Sequence, residues 1–239
     1  MPRYWNQDNF EGLEAIAASA DGLPHLQAFA RYCRLKAAGL RQAAHAALEE
    51  FLGEAATLDA ATRRQLVEWL LDTRRRAPEV HQLMPHPLAM RLVDPVLAEW
   101  VRDRPHDAVG HRWQGIVRND RAALRLAIAL DADEVPARIH LLRNLIDCVA
   151  FATHHLPDGE LLYETAFVHQ CLAEAAQLLA QLPACGEKDA CAIALERQRT
   201  LVDDFLAWSV QPEGLGFAQW CERRQRHHAW SATYSFSGE

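Results

Sequence analysis

The fold class is decided by residues 119–152, which read NDRAALRLAIALDADEVPARIHLLRNLIDCVAFA. Two segments with helical periodicity flank a short turn, Asp131-Ala132-Asp133. Apolar residues of the second segment recur at alternating spacings of four and three, at Val135, Ile139, Leu142, Ile146 and Val149. This spacing places them on one face of an α-helix. Because so short a turn makes consecutive helices antiparallel neighbours, the stretch predicts a stack of antiparallel helix hairpins.

Similar apolar stripes, separated by helix-breaking residues, recur along the whole chain. Ala and Leu dominate the composition, while Val, Ile and Thr are sparse, and this bias favours helix over strand. Asp59 and Asp120 are predicted N-caps, and Pro78 is predicted to end a helix. Pro95, inside a segment predicted at about residues 88–103, indicates a kink or a late start at Asp94. The sequence therefore predicts an all-α fold of about ten helices in stacked antiparallel hairpins, either as an α–α superhelix or as an irregular helical bundle.

A segment without clear periodicity, residues 78–87, is the predicted boundary between two groups of helices. Residues 1–77 would form N-terminal helical hairpins, and residues 88–228 a C-terminal helical stack packed on them. One continuous domain is the alternative. Residues 229–239 are predicted to form an irregular tail.

The bulk properties exclude several classes of partner. The formal net charge is −7, whereas nucleic-acid binding requires a basic face that displaces counterions from phosphates. The N-terminus has no apolar signal segment, and no apolar run reaches the roughly 18 residues of a membrane span. We therefore expect a cytoplasmic protein that binds neither nucleic acid nor membrane, and whose cysteines are reduced thiols.

Two stretches resemble tetratricopeptide repeats. In the first, the small and large packing positions of the repeat are occupied by Leu35, Gly39, Ala44 and Leu48. In the second, residues 127–132 resemble the end of a repeat's second helix, although Ala132 stands where the repeat usually has Pro. The helix after Asp120 is also shorter than in the repeat, and a period of about 34 residues does not carry through the chain. The resemblance implies stacked hairpins that bind a protein or peptide, with no catalytic residue and no cofactor.

Polar residues along one edge of the helix after Glu134 form the first candidate surface. His140, Asn144, Asp147 and His154 recur at spacings of four, three and seven. Across the next turn, Glu160 and Glu164 are predicted to open an antiparallel helix and to approach His154 and His155. One interpretation is a solvated face that binds a protein. The alternative is a metal site of His154, His155, Glu160 and Glu164, or an enzyme site that also uses His140 and Asp147.

The C-terminal end is the second candidate surface. Trp220 and Trp230 flank the pair His227 and His228, close to several arginines. Partly exposed aromatic rings beside arginines favour contacts with another protein. A tail folded onto its own helices is the alternative. The sequence predicts a protein or peptide partner and leaves both its identity and the oligomeric state open.

Overall fold

The structure, a computed structural model, describes residues 6–229. This part of the chain contains no β-strand, and it forms eleven helices when the continuous helical residues 86–103 are counted as one. The all-α prediction is confirmed, and the predicted number of about ten helices is close. The chain divides into two compact units, with the boundary along the chain between Gln114 and Gly115. The predicted division into residues 1–77 and 88–228 concerns domains that fold independently. The two compact units do not test this property, so the division stays a prediction.

The first unit begins with four helices joined by short turns. They are α1 (Gln7–Ala20), α2 (Gln27–Ala37), α3 (Arg41–Ala56) and α4 (Ala60–Arg76). Helix α1 buries Leu13, Ile16 and Ala17. The predicted cap of α4 is confirmed, because the carboxylate of Asp59 accepts hydrogen bonds from two backbone N–H groups of its first turn.

Aromatic side chains join these helices at the centre of the first unit. The ring of Phe29 lies 5.2 Å from that of Phe51 and 6.2 Å from that of Trp69, between ring centroids. Residues 77–85 are irregular, and two hydrogen bonds of Gln82 attach them to α1 and α2. The hydroxyl of Tyr32 donates to the carbonyl of Gln82, and the N–H of Gln82 donates to the side chain of Asn9.

Pro95 sits inside a continuous helical segment. This segment consists of α5 (His86–Leu88), a π-helical turn (Ala89–Val93) and α6 (Asp94–Asp103). The π-helical turn lets the N–H of Asp94 donate to the carbonyl of Ala89, five residues earlier. A proline ring clashes with the carbonyl four residues before it, and the wider turn relieves this clash without ending the helix. Of the two predicted alternatives, a kink and a late start at Asp94, the structure has α6 begin at Asp94, directly after the π-helical turn.

The second unit contains the end of α7 (Ala108–Arg118) and the helices that follow. These are α8 (Arg121–Leu130), α9 (Val135–Ala152), α10 (Thr165–Ala180), α11 (Gly186–Val210) and α12 (Phe217–Arg223). Helix α9 packs against α8, α10 and α11, and it is the central helix of this unit. Its predicted apolar stripe is largely confirmed, since Ile139, Leu142, Ile146 and Val149 are buried.

One further prediction concerns the start of α8. Asp120 caps this helix as predicted, because its Oδ1 accepts hydrogen bonds from the N–H groups of Ala122 and Ala123, at 2.8 and 3.2 Å. Helix α8 also exposes an apolar side chain, since Leu126 is 42% exposed. Among residues 6–229, none of the helices combines the length and the apolar character needed to cross a lipid bilayer.

Candidate binding surface

Four apolar side chains are exposed together at the junction of α9 and α10, and we call them the aromatic patch. Phe151 belongs to α9, Leu162 and Tyr163 to the segment between the helices, and Phe167 to α10. Phe151 is 59% exposed, and the other three are each about 40% exposed. The Tyr163 ring centroid lies 6.0 Å from that of Phe151 and 5.4 Å from that of Phe167. The three rings therefore form one contiguous surface.

The backbone between the helices holds the aromatic patch in place. Residues 156–158 form a single 3₁₀ turn, and Gly159 follows with a positive φ of 85°. A Cβ atom at Gly159 would also lie 3.2 Å from the Trp208 ring, so glycine suits both the dihedral angle and the space. The N–H of Leu162 then donates to the carbonyl of Ala152, at 3.0 Å, which returns the chain to the end of α9. This bond places Leu162 and Tyr163 beside Phe151.

A cavity of about 450 Å³ opens next to the aromatic patch. Its walls combine a cation, a carboxylate, a thiol and two rings, from Arg121, Glu164, Cys148, Tyr163 and Phe167. Apolar walls with a few polar groups are typical of sites that bind a side chain or a small molecule.

A hydrogen-bond network around the buried side chain of Asn144 positions Arg121 at this cavity. The guanidinium group of Arg121 donates to both the side-chain and the backbone carbonyl oxygens of Asn144. The amide of Asn144 in turn donates to the side chain of Asn119. Asn119 adopts a positive φ of 55°, which asparagine tolerates better than most residues. The turn between α7 and α8 and the middle of α9 are thereby linked.

The structure gives different environments to three residues that the sequence placed on one polar edge. Asn144 is buried, so it belongs to the hydrogen-bond network rather than to a solvated face. Asp147 is exposed, and His140 is partly buried. Burial, together with the nearby positive charge of Arg143, lowers the pKa of His140, although Asp147 acts in the opposite direction. His140 therefore favours its neutral form.

The remaining predicted residues lie around the turn after α9, and all four are exposed. The imidazole rings of His154 and His155 meet edge to face, with centroids 5.0 Å apart. His155 Nδ1 lies 3.3 Å from a carboxylate oxygen of Asp158. The prediction that Glu160 and Glu164 open a helix is wrong, because α10 begins only at Thr165. Of the two, Glu164 lines the cavity beside the aromatic patch.

Within residues 6–229, no group of three or more His, Cys, Asp or Glu side chains is arranged to hold a metal ion.

The second candidate surface, at the C-terminal end, also differs from the expectation. Trp220 is only 3% exposed and packs in a small core with Phe205 and Phe217. The guanidinium group of Arg224 lies 4.5 Å from the Trp220 ring centroid. The expectation that Trp220 presents its ring to a partner is therefore wrong. Trp230 lies outside the described residues.

The sequence-based interpretation missed the aromatic patch. Tyr163 and Phe167 are four residues apart, a spacing that can bring two rings together. Phe167 precedes Val168, the first residue of the buried stripe of α10, which includes Cys171, Leu172 and Ala175. An aromatic residue directly beside a buried stripe is the sequence signal that could have indicated the aromatic patch. Phe151 gives a similar signal, because it lies between the buried positions Val149 and Ala152 of α9.

Comparison of the chain with protein-family models, with curated protein sequences and with solved structures gave no match.

Proposed function

We propose that the chain is a non-catalytic protein-interaction module that binds a protein or peptide through the aromatic patch and its neighbouring cavity. The observation that carries the proposal is the contiguous exposure of three rings, Phe151, Tyr163 and Phe167, on one side of α9 and α10. Aromatic residues are enriched at protein interfaces, and a few of them usually supply most of the binding free energy.

The size of the aromatic patch suits a peptide or a small protein surface. Taking about 200 Å² for each large side chain, its exposed fractions amount to roughly 350 Å². Apolar patches of this order on monomeric proteins are often functional. Arg121 and Glu164 at the cavity add one charge of each sign, which would orient a partner.

The proposal agrees with the function that the tetratricopeptide resemblance implies, and it moves the contacts within the expected binding face. That face was expected near residues 140–164, along the polar edge of His140, Asn144, Asp147 and His154. Burial of Asn144 interrupts that edge, whereas the exposed histidines and Glu164 adjoin the aromatic patch. We therefore assign His154, His155 and Glu164 to the rim of the surface.

The test uses peptides selected from a random displayed library on the immobilised wild-type protein. Binding of the selected peptides is then measured by titration against Phe151→Ser and Phe167→Ser. Both side chains are exposed, so neither change should unfold the protein. We expect each variant to weaken binding at least tenfold, which corresponds to about 1.4 kcal/mol.

Val210→Ser is the matched control, because it removes another exposed apolar side chain of the same unit, 87% exposed at the end of α11. It should bind the selected peptides with unchanged affinity. Peptides that bind all three variants equally well would refute the proposed surface.

A further inference from the structure

Three exposed carboxylates lie beside the aromatic patch, and we call them the acidic rim: Asp147, Glu160 and Glu164. Asp147 lies one turn before Phe151 on α9, so the two exposed side chains are neighbours on the same face of this helix. Glu164 lines the cavity together with Tyr163 and Phe167. Two sides of the aromatic patch are therefore bordered by negative charge.

Glu160 belongs to the irregular segment that carries the patch residues Leu162 and Tyr163. Its N–H donates to the carbonyl of His155, at 3.1 Å, which fixes the backbone at this point. Leu161 packs against the core of the second unit, whereas Glu160 and Leu162 on either side of it are exposed. Glu160 therefore lies on the outer side of the segment, next to the aromatic patch.

Nearby cations compensate only part of this negative charge. None of the three rim carboxylates forms an ion pair within residues 6–229. Arg143, one turn before Asp147 on α9, is paired with Glu187, with Nη2 and Oε1 3.2 Å apart. Arg121 is the one cation that lines the cavity, and its guanidinium group donates to two oxygens of Asn144. Three negative charges thus stand against one positive charge around the patch.

We propose that the aromatic patch binds a basic amphipathic segment of another protein, whose apolar side chains cover the rings while its Lys or Arg side chains meet the acidic rim. The inference rests on the proposed function, to which it adds the chemistry of the partner. Lys and Arg suit the border of an apolar patch, because their aliphatic stems cover apolar surface while their charged ends stay in water. Complementary charge also speeds association and disfavours partners of like charge.

The same charges decide against two other occupants. In a symmetric dimer built on this surface, the aromatic patch would meet itself, so the two acidic rims would face each other and repel. An anionic lipid surface would likewise bring negative charge against the rim. The formal net charge of −7 of the whole chain acts in the same direction. A basic partner is therefore the one that the surface fits.

The experiment uses three synthetic peptides of about 18 residues, or five helical turns. All three share one face of leucine and phenylalanine. Their other positions are lysine in the first peptide, glutamine in the second and glutamate in the third. Each is titrated calorimetrically into the full-length protein at pH 8, at which histidine is ordinarily neutral. The titration with the lysine peptide is carried out at low and at high salt.

We expect the lysine peptide to bind about tenfold more tightly than the glutamine peptide, and the glutamate peptide to bind more weakly than both. This ratio assumes about threefold for each exposed carboxylate, reduced by the opposing charge of Arg121. High salt should remove most of the advantage of lysine, because counterions screen exposed charges. Phe151→Ser should weaken the binding of the lysine and glutamine peptides alike.

Glu160→Gln and Glu164→Gln test the acidic rim directly. Each should lower the affinity for the lysine peptide about threefold and leave the affinity for the glutamine peptide unchanged. Glu164 precedes α10, but its side chain makes no capping hydrogen bond, so the exchange should not disturb the helix. Asp189→Asn is the matched control, because it removes an exposed carboxylate of the same unit in the first turn of α11. It should leave both affinities unchanged.

Four outcomes would overturn the inference: equal affinities for the lysine and glutamine peptides, no binding of any of the three peptides, lysine-peptide binding that neither Phe151→Ser nor the rim variants weaken, or a dimer whose self-association is lost in Phe151→Ser. Equal affinities that both fall in Phe151→Ser would leave the proposed function standing, because the patch would still bind a peptide. The proposed function fails separately, when the peptides selected from the random library bind Phe151→Ser and Phe167→Ser as tightly as the control.

Discussion

Gly115 lies where α7 approaches α8, and its replacement by alanine should destabilise the second unit. A Cβ atom at this position would lie 2.6 Å from Cγ of Leu124, 2.7 Å from its Cδ2 and 3.0 Å from its backbone nitrogen. Leu124 is fully buried, so its side chain has no free space into which to move. The backbone nitrogen belongs to the first turn of α8 and is equally confined.

Two effects of opposite sign determine the size of the change. Alanine is favoured over glycine inside a helix by about 1 kcal/mol. Overpacking of a filled core costs about 1–3 kcal/mol, and contacts this short place Gly115→Ala at the upper end. We therefore expect a net loss of about 2 kcal/mol in the free energy of unfolding.

Gly53→Ala is the control, and urea denaturation followed by circular dichroism is the assay. Gly53 is an exposed residue of α3, and a Cβ atom there would have no neighbour within 4 Å. Only the helix preference remains, so this variant should gain about 0.5–1 kcal/mol. The two variants, which add the same methyl group, should shift the urea midpoint in opposite directions. A Gly115→Ala protein as stable as the wild type would refute the close packing of α7 on α8.

Two further predictions follow from single contacts, and a third follows from the proposed function. Asp120→Ala removes the acceptor for two N–H groups of α8 and should cost about 1 kcal/mol in the same assay, whereas Asp120→Ser should retain most of the stability. The hydrogen bond from Arg125 lowers the pKa of Glu174 below its usual 4.5, so its contribution is complete above pH 4.5 and is lost as the pH falls through the lowered pKa. Glu174→Gln should therefore make urea midpoints fall less steeply between neutral and acidic pH; an unchanged slope would contradict this. Finally, the proposed function predicts that elemental analysis of the purified protein finds no stoichiometric zinc, iron or manganese. Metal that is present in the wild type and lost in His154→Ala would instead favour the metal-binding alternative.

The fold class could be predicted because each helix carries its own signals. Asp59 and Asp120 cap helices through bonds within their own first turns, and such local chemistry is visible in the sequence. The stripe of α9 was visible for the same reason, since its spacing reflects one helix alone. The missed elements depend on distant residues. The N-terminal end of α10 is set by Gly159 and by the bond from Leu162 to Ala152, so the helical pattern of the sequence extended α10 too far toward Glu160.

Helix periodicity shows which residues share a face, but not which neighbour covers that face. His140, Asn144 and Asp147 do lie along one side of α9. The turn between α7 and α8 reaches that side at Asn144, through Arg121 and Asn119, so its middle is closed by an amide network. The surface left open lies next to it, around Cys148 and Phe151. Because two adjoining edges of α9 have such different neighbours, the apolar residue Phe151 is exposed and the polar residue Asn144 is buried. The proposed binding surface, with Phe151 exposed and Asn144 buried, depends on how several helices pack together. The periodicity of a single helix carries no information about this packing.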